Sequence, residues 1–196
     1  DLSSYGFTNL KTLKMDNVIF NANMYNAFKN LPKLEEISLK GVDTSHVTTM
    51  RRAFYSYENT GGADNNSFIT SLDLSDFDTS NVTDMYQMFE GLDHLESIDL
   101  SSFDTSEVTN MQGMFFNCKR IENLDLSNFN TSNVTDFTYM FEYCDNLNEI
   151  NISNFDLRKS TGNKVFDLSG SNLNSLKTII ADNVIFPADS SKIFYY

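Results

Sequence analysis

Carboxylate side chains recur at a fixed interval in the middle of this chain. Asp73, Asp99 and Asp125 are separated by 26 residues, and each is followed two residues later by a serine. If the segments around them stack as parallel strands about 4.8 Å apart, the carboxylates form a column on an exposed face. Such a column repels itself unless a divalent cation or the basic groups of a partner neutralise it. The spacing therefore predicts a surface that binds cations or a basic protein.

The candidate binding residues all lie on the polar side of the predicted strands. They are Asp73, Ser75, Asp99, Ser101, Asp125, Ser127 and Asn151. No cofactor is expected here, although calcium, which prefers carboxylate oxygens, is left open by the pattern. The alternative is that these are solvated aspartates on a protein that its charge keeps soluble.

The 26-residue interval comes from an internal repeat. The string LDLSDFDTSNVTDMYQMF, beginning at Leu72, returns almost unchanged at Ile98 and Leu124 and in weaker form at Ile150. Strand-like openings occur near residues 13, 37, 72, 98, 124, 150 and 179. A period of this length is typical of a solenoid, in which each unit buries its apolar face against its neighbours. We predict a single solenoid domain over residues 1–196 with about seven repeats.

Each unit is predicted to hold a short strand and a short helix. Leu72 and Leu74 alternate with polar residues, which indicates a strand with one buried face. Met85, Met88 and Phe89 follow the i, i+3, i+4 spacing of one helix face. The expected fold class is therefore α/β: a leucine-rich-repeat solenoid with a parallel β-sheet on one face and short helices on the other.

Two segments interrupt the repeat. Residues 58–68 form a polar, glycine-rich insertion, which we expect to leave the stack as a surface loop. That loop is either a binding loop or a tolerated excursion, since insertions in exposed loops cost little. Residues 157–178 lack the apolar positions of the predicted helix, as expected of a degenerate terminal repeat.

Charge and composition exclude several functions. The net charge is −13, and no Lys or Arg occurs from Ala53 to Cys118. Nucleic-acid binding needs a basic face and is not expected. No apolar run is long enough to predict insertion of this region into a membrane. The two histidines, His46 and His94, lie at non-equivalent positions without a nucleophile or metal-ligand pattern, so no enzyme is expected.

The two cysteines, Cys118 and Cys144, are also 26 residues apart. Equivalent side chains in stacked units point the same way, whereas the two sulfurs of a disulfide must face each other. We therefore expect reduced, buried thiols. The alternative is a disulfide, which an extracellular protein would permit.

The strongest units resemble a known repeat family. They read LDLSDFDTSNVTDMYQMF, IDLSSFDTSEVTNMQGMFFNC and LDLSNFNTSNVTDFTYMFEYC, and they are similar to the 26-residue repeats of BspA-like bacterial surface proteins. The resemblance implies a secreted or cell-surface leucine-rich-repeat region, often part of a longer anchored protein and sometimes associated with adhesion to host proteins. It indicates architecture more than activity.

The expected role is therefore binding. We expect an extracellular, adhesin-type module of a bacterial surface protein that meets a host or neighbouring-cell surface protein through the seven strand-face residues. A basic patch on that partner would suit the acidic face. We expect the chain to be a piece of a longer anchored protein. The alternative is a structural stalk or spacer that displays another domain and binds nothing itself. The sequence contains no signal for an oligomeric state.

Overall fold

The described part of the chain coils as a parallel β-solenoid of about six turns. The computed structural model describes Leu2 and residues 5–56, 67–161, 166–167, 175–189 and 194–195. Within them the strands are β1 (Thr12–Lys14), β2 (Glu36–Ser38), β3 (Ser71–Asp73), β4 (Ser97–Asp99), β5 (Asn123–Asp125), β6 (Glu149–Asn151), β7 (Phe166–Asp167), β8 (Thr178–Ile180) and β9 (Phe194–Tyr195). The strand sequences explain the one-sided burial: in β3, for example, Leu72 is buried between exposed Ser71 and Asp73.

Neighbouring strands pair in parallel, one turn apart. β1 pairs with β2, β3 with β4, β5 with β6, β6 with β8, and β7 with β9. In the described ranges no strand pairing joins β2 to β3 or β4 to β5. A second series of parallel bridges is continuous through Asn23, Thr49, Asp84, Asn110 and Asp136. This second series links turns across the two breaks in the strand sheet.

The predicted helices are wrong, and so is the α/β leucine-rich-repeat class. No α-helix occurs among the residues that the structure describes. In the segment expected to be helical, Met85 N–H donates to Asn110 C=O (3.0 Å) and Gln87 N–H to Gln112 C=O (2.9 Å). A helix would need these N–H groups to bond four residues back in the same segment. Alternate N–H groups instead bond to the next turn, as in a parallel sheet.

The i, i+3, i+4 spacing of the buried residues arises from a turn instead of a helix. Met88 N–H donates to Met85 C=O (3.2 Å), and Gln87 between them has φ 52°, in the left-handed region. The turn brings Met85, Met88 and Phe89 to the core side, where all three are fully buried. Left-handed residues recur at this place in successive turns: Asn26, Arg52, Gln87, Gly113 and Tyr139.

A buried threonine connects each turn to the next at another corner. Thr79 is 1% exposed, and its hydroxyl donates to the carbonyl of Asp104 (2.8 Å) while accepting the N–H of the same residue (2.9 Å). Equivalent threonines that donate to the next turn are Thr44, Thr105 and Thr131. A buried peptide group without a partner costs about 1–3 kcal/mol, so this hydroxyl replaces a missing backbone partner.

Stacked phenylalanines run along the core. Ring centroids are 5.0 Å apart for Phe28 and Phe54, 5.7 Å for Phe54 and Phe89, and 5.5 Å for Phe89 and Phe115. Phe141 continues the column 6.1 Å from Phe115. Aromatic rings at these separations interact favourably beyond simple burial of their surface. One residue type at one position therefore fills the core turn after turn.

The prediction of reduced, buried cysteines is confirmed. Cys118 and Cys144 are free and fully buried. Each thiol donates to a carbonyl of the preceding turn, Cys118 to Phe89 (3.3 Å) and Cys144 to Phe115 (3.2 Å). Burial raises the pKa of the Cys144 thiol to about 12. The alternative of a disulfide is wrong.

The repeat count also needs correction. The predicted unit starts at residues 13, 37, 72, 98, 124, 150 and 179 each lie at the centre of a strand, but seven equivalent strands enclose only about six turns. Of the 58–68 insertion, only Ser67 and Phe68 lie within the described residues; Ser67 N–H donates to the hydroxyl of Ser56 (2.7 Å). The predicted degenerate repeat 157–178 falls partly outside them.

The threonine corner can be tested by replacing Thr79 with valine, which has the same shape but no hydroxyl. We expect Thr79→Val to lower the free energy of unfolding by about 1–3 kcal/mol in urea titrations, because the N–H and C=O of Asp104 lose their partner. The matched control is Thr109→Val, since the hydroxyl of exposed Thr109 adds only a second bond to Thr83 C=O (3.1 Å). Equal losses in both variants would contradict this role.

Candidate functional site

The predicted site residues lie on the strand face in two pairs. Asp73 and Asp99 are register partners in β3 and β4, and both are exposed. Asp125 and Asn151 are register partners in β5 and β6, with Asp125 exposed and Asn151 half-buried. No strand pairing links β4 to β5 within the described residues. The carboxylates of Asp73 and Asp99 therefore form one pair, and Asp125 does not continue it as a strand ladder.

Each aspartate also holds the turn that follows its strand. Asp73 Oδ1 accepts the N–H (3.1 Å) and the hydroxyl (2.7 Å) of Ser75, and Asp99 Oδ1 accepts the N–H of Ser101 (2.9 Å). These serine hydrogen bonds hold the pKa of both carboxyl groups below the ordinary value. The carboxylates are therefore ionised at neutral pH, and one oxygen of each is used by the protein itself.

The turn needs an oxygen atom but not a charge. Asp125 Oδ1 accepts the N–H of Ser127 (3.0 Å), and Asn151 Oδ1 accepts the N–H of Ser153 in the same way (3.1 Å). The chain thus contains its own example of asparagine at this position. An aspartate-to-asparagine substitution on this face removes charge while keeping the turn. We call the exposed surface formed by the seven predicted residues the acidic strand face.

Two surface depressions border this face. One, of about 470 Å³, lies over β3 and β4 and includes Ser75. The other, of about 320 Å³, lies between β2 and the end of β3, where Lys14 and Lys40 approach Asp16, Asp73 and Asp76. The second depression marks the boundary between a cationic and an anionic part of the solenoid.

The structure adds little to the expectation of calcium. In the part of the chain that is described, no group of three or more His, Cys, Asp or Glu side chains is arranged to hold a metal ion. Calcium binding to the predicted column of Asp73, Asp99 and Asp125 stays a prediction.

The histidines lie apart and contact different groups. His46 Nδ1 is 3.1 Å from Ser45 Oγ. His94 Nδ1 is 2.8 Å from Asp93 Oδ1, and the His94 ring packs against Phe68 with centroids 4.8 Å apart. His94 is itself half-buried between Asp93 and the exposed Phe68 ring, so the structure gives it a packing role.

A second surface was missed by sequence reasoning. Arg51 lies over the ring of Tyr86, with Cζ 3.8 Å from the ring centroid. Arg52 Cζ is 4.9 Å from the centroid of Tyr55, and Lys29 Nζ is 5.5 Å from the same centroid. All five side chains are half-buried. We call these five residues the arginine–tyrosine patch.

Further contacts hold the two arginines in place. Arg52 Nε donates to Gln87 Oε1 (2.6 Å), and Arg51 Nη1 lies 3.7 Å from Asp84 Oδ2. Sequence reasoning misses the patch because the repeat predicts a helix in the segments that carry these residues. A helix would place their side chains differently. The available signal was the adjacent pair Arg51 and Arg52, the last cations before the long stretch without Lys or Arg.

A buried acid lies behind the patch. Glu90 is 4% exposed, and its Oε2 accepts no hydrogen bond within the described residues. Burial raises the pKa of Glu90 to about 7, with the positive charge of Arg52 opposing part of the shift. Gly113 lies beside this carboxyl: a Cβ there would be in ordinary contact with Glu90 Oε2 (3.5 Å) and closer to Gln87 Cγ (3.2 Å).

The chain is similar to a known protein family. A family model described as "Mycoplasma protein of unknown function, DUF285" matches residues 22–68 and again residues 61–178. No curated protein matches the chain. None of the described segments is a helix long and apolar enough to cross a membrane.

The burial of Glu90 predicts a specific pH dependence. The pKa of Glu90 in the folded protein, about 7, exceeds the ordinary value of 4.5. The fold therefore has its full stability below the unfolded pKa, where Glu90 is protonated in both states, and loses stability as the pH rises through 7. We expect Glu90→Gln to unfold like the wild type at pH 4 and to be more stable by about 3 kcal/mol at pH 8. Exposed Glu107→Gln is the control. Parallel pH profiles for wild type and Glu90→Gln in chemical denaturation would contradict the assignment.

Proposed function

We propose that this chain, which belongs to the family described as Mycoplasma protein of unknown function, DUF285, is a protein-binding module that meets its partner through the acidic strand face. The observation that carries the proposal is the pair of exposed carboxylates, Asp73 and Asp99, on neighbouring strands. Among the ion pairs of the described residues, none involves either of them.

The energetics favour a basic partner. Two carboxylates at strand spacing repel each other by about 1 kcal/mol in water. An approaching lysine or arginine side chain relieves that repulsion and uses the second oxygen of each carboxylate, which the serine turns leave available. The field of the whole acidic region also accelerates the encounter with a positively charged surface.

The proposed location is the bacterial cell surface, with a host or neighbouring-cell protein as partner. The support is the resemblance of the 26-residue units to BspA-like surface-protein repeats, together with the solenoid architecture. A solenoid presents a long, regular face that suits the binding of another protein. No catalytic role is proposed.

A structural spacer is the second candidate. The observation in its favour is that the strand-face aspartates cap turns in the same way as Asp78 and Asp104, which lie at another corner and cap Ser80 and Ser106. On this view the aspartates serve the coil, and their exposure has no binding role.

Binding can be tested with labelled protein on cultured animal cells by flow cytometry. We expect saturable binding that is abolished by trypsin treatment of the cells and weakened about tenfold or more by Asp73→Asn, Asp99→Asn and Asp125→Asn together, because charge complementarity is lost. Asn151 shows that asparagine keeps the turn, so the triple variant should fold.

The control removes equal charge outside the seven residues of the acidic strand face. It carries Glu96→Gln, Glu107→Gln and Glu122→Gln, all at exposed positions, and should bind like the wild type. Absence of saturable binding, with a fully folded protein, would favour the spacer. Equal weakening in both triple variants would show that net charge alone is responsible.

A further inference from the structure

Charge is divided sharply between successive turns of the solenoid. Residues 5–56 contain seven cations and four anions; the cations are Lys11, Lys14, Lys29, Lys33, Lys40, Arg51 and Arg52. Residues 67–118 contain no cation and ten anions, namely Asp73, Asp76, Asp78, Asp84, Glu90, Asp93, Glu96, Asp99, Asp104 and Glu107. One molecule therefore carries two complementary surfaces.

The arginine–tyrosine patch has the composition of a protein-binding surface. Tyrosine and arginine are the residue types that contribute most to binding energy in protein interfaces. Arg51 and Arg52 are already oriented by Tyr86 and Gln87, so little side-chain freedom is lost when they meet a partner. Planar guanidinium groups also suit bidentate contact with carboxylates.

The two surfaces lie on different parts of the coil. The patch lies in the segments that follow the bridged residues Asn23, Thr49 and Asp84 in three successive turns. Asp73 and Asp99 instead lie in β3 and β4. Arg51 and Arg52 form no ion pair with Asp73 or Asp99 among the described residues. The complementarity is thus available to another molecule.

We propose that the arginine–tyrosine patch of one copy binds the acidic strand face of a second copy of this chain. The inference rests on the proposed function and names its partner. The charge complementarity just described selects this occupant, since each copy supplies both the basic and the acidic surface. Arg51 and Arg52 of one copy meet Asp73 and Asp99 of the next.

The contact is head-to-tail, because the two surfaces differ. A head-to-tail contact between identical molecules leaves one free surface at each end and so extends into open chains unless the rotation closes a ring. Self-association should therefore increase steadily with concentration, and it should weaken with salt as the exposed charges are screened.

Complementary variants provide the decisive experiment. Arg51→Glu with Arg52→Glu removes the basic surface, and Asp73→Asn with Asp99→Asn and Asp125→Asn removes the acidic one. We expect each variant alone to have the 22.3 kDa mass of the monomer by sedimentation equilibrium at about 50 mM salt, where screening is weak. An equimolar mixture retains one intact surface of each kind and should give a 1:1 dimer, while the wild type forms larger species.

A matched control separates this contact from net charge. Lys119→Glu with Arg120→Glu changes an adjacent, exposed pair of cations by the same charge and should associate like the wild type. If the acidic variant loses too much stability, Ser71→Lys with Ser97→Lys keeps Asp73 and Asp99 and places ammonium groups beside them. A folded wild type that stays monomeric at low salt, or a mixture that forms no dimer, would overturn the inference.

The outcome is distinguishable from that of the proposed function. Loss of self-association in the Arg51→Glu, Arg52→Glu variant with cell binding retained supports the self-contact as a separate use of the acidic strand face. A monomeric wild type that still binds cells through Asp73 and Asp99 refutes the self-contact alone. A monomeric wild type that binds no cells refutes both.

Discussion

The backbone of each turn finds hydrogen-bond partners in the neighbouring turn. From Met85 to Gly91, alternate N–H groups donate to carbonyls 25 residues ahead. This requirement explains why the step stays at 26 residues from Leu72 through Ile98 and Leu124 to Ile150, since a change of one residue would shift alternate side chains to the wrong face. It also explains why the short strands persist, because a three-residue strand gains its order from the turns on both sides.

Corners impose a second requirement, which accounts for much of the acidic composition. A chain that bends three times in about 26 residues must satisfy peptide groups where the ladder is interrupted. Asp73, Asp78 and Asp84 do so in one turn, each accepting an N–H two residues ahead. Asparagine takes over at Asn110 and Asn130. The charge is therefore partly a by-product of turn chemistry, whereas the lack of any Lys or Arg from Ala53 to Cys118 is a feature that turn chemistry does not explain.

The sequence was sufficient to predict the repeat, the strand centres and the buried columns, because all three follow from side-chain types at constant spacing. It was insufficient to distinguish a helix from a left-handed turn at Met85, Met88 and Phe89, since both bury the same three positions. Gln87 itself carries no signature of its left-handed conformation, but the equivalent residues Asn26 and Gly113 are of the types that adopt it most readily, and that column was the available signal. With that segment misread, the neighbourhood of Arg51 and Tyr86 could not be anticipated.

The orientation of the hydrogen bonds between turns has a mechanical consequence. They run parallel to the solenoid axis, so tension along that axis would pull directly on the bonds of one interface and peel turns from the end, instead of shearing a whole sheet at once. Each turn occupies about 4.8 Å of axis but releases about 90 Å of chain when 26 residues are extended. A tether made of such turns lengthens stepwise under load and recovers by recoiling one turn on the next.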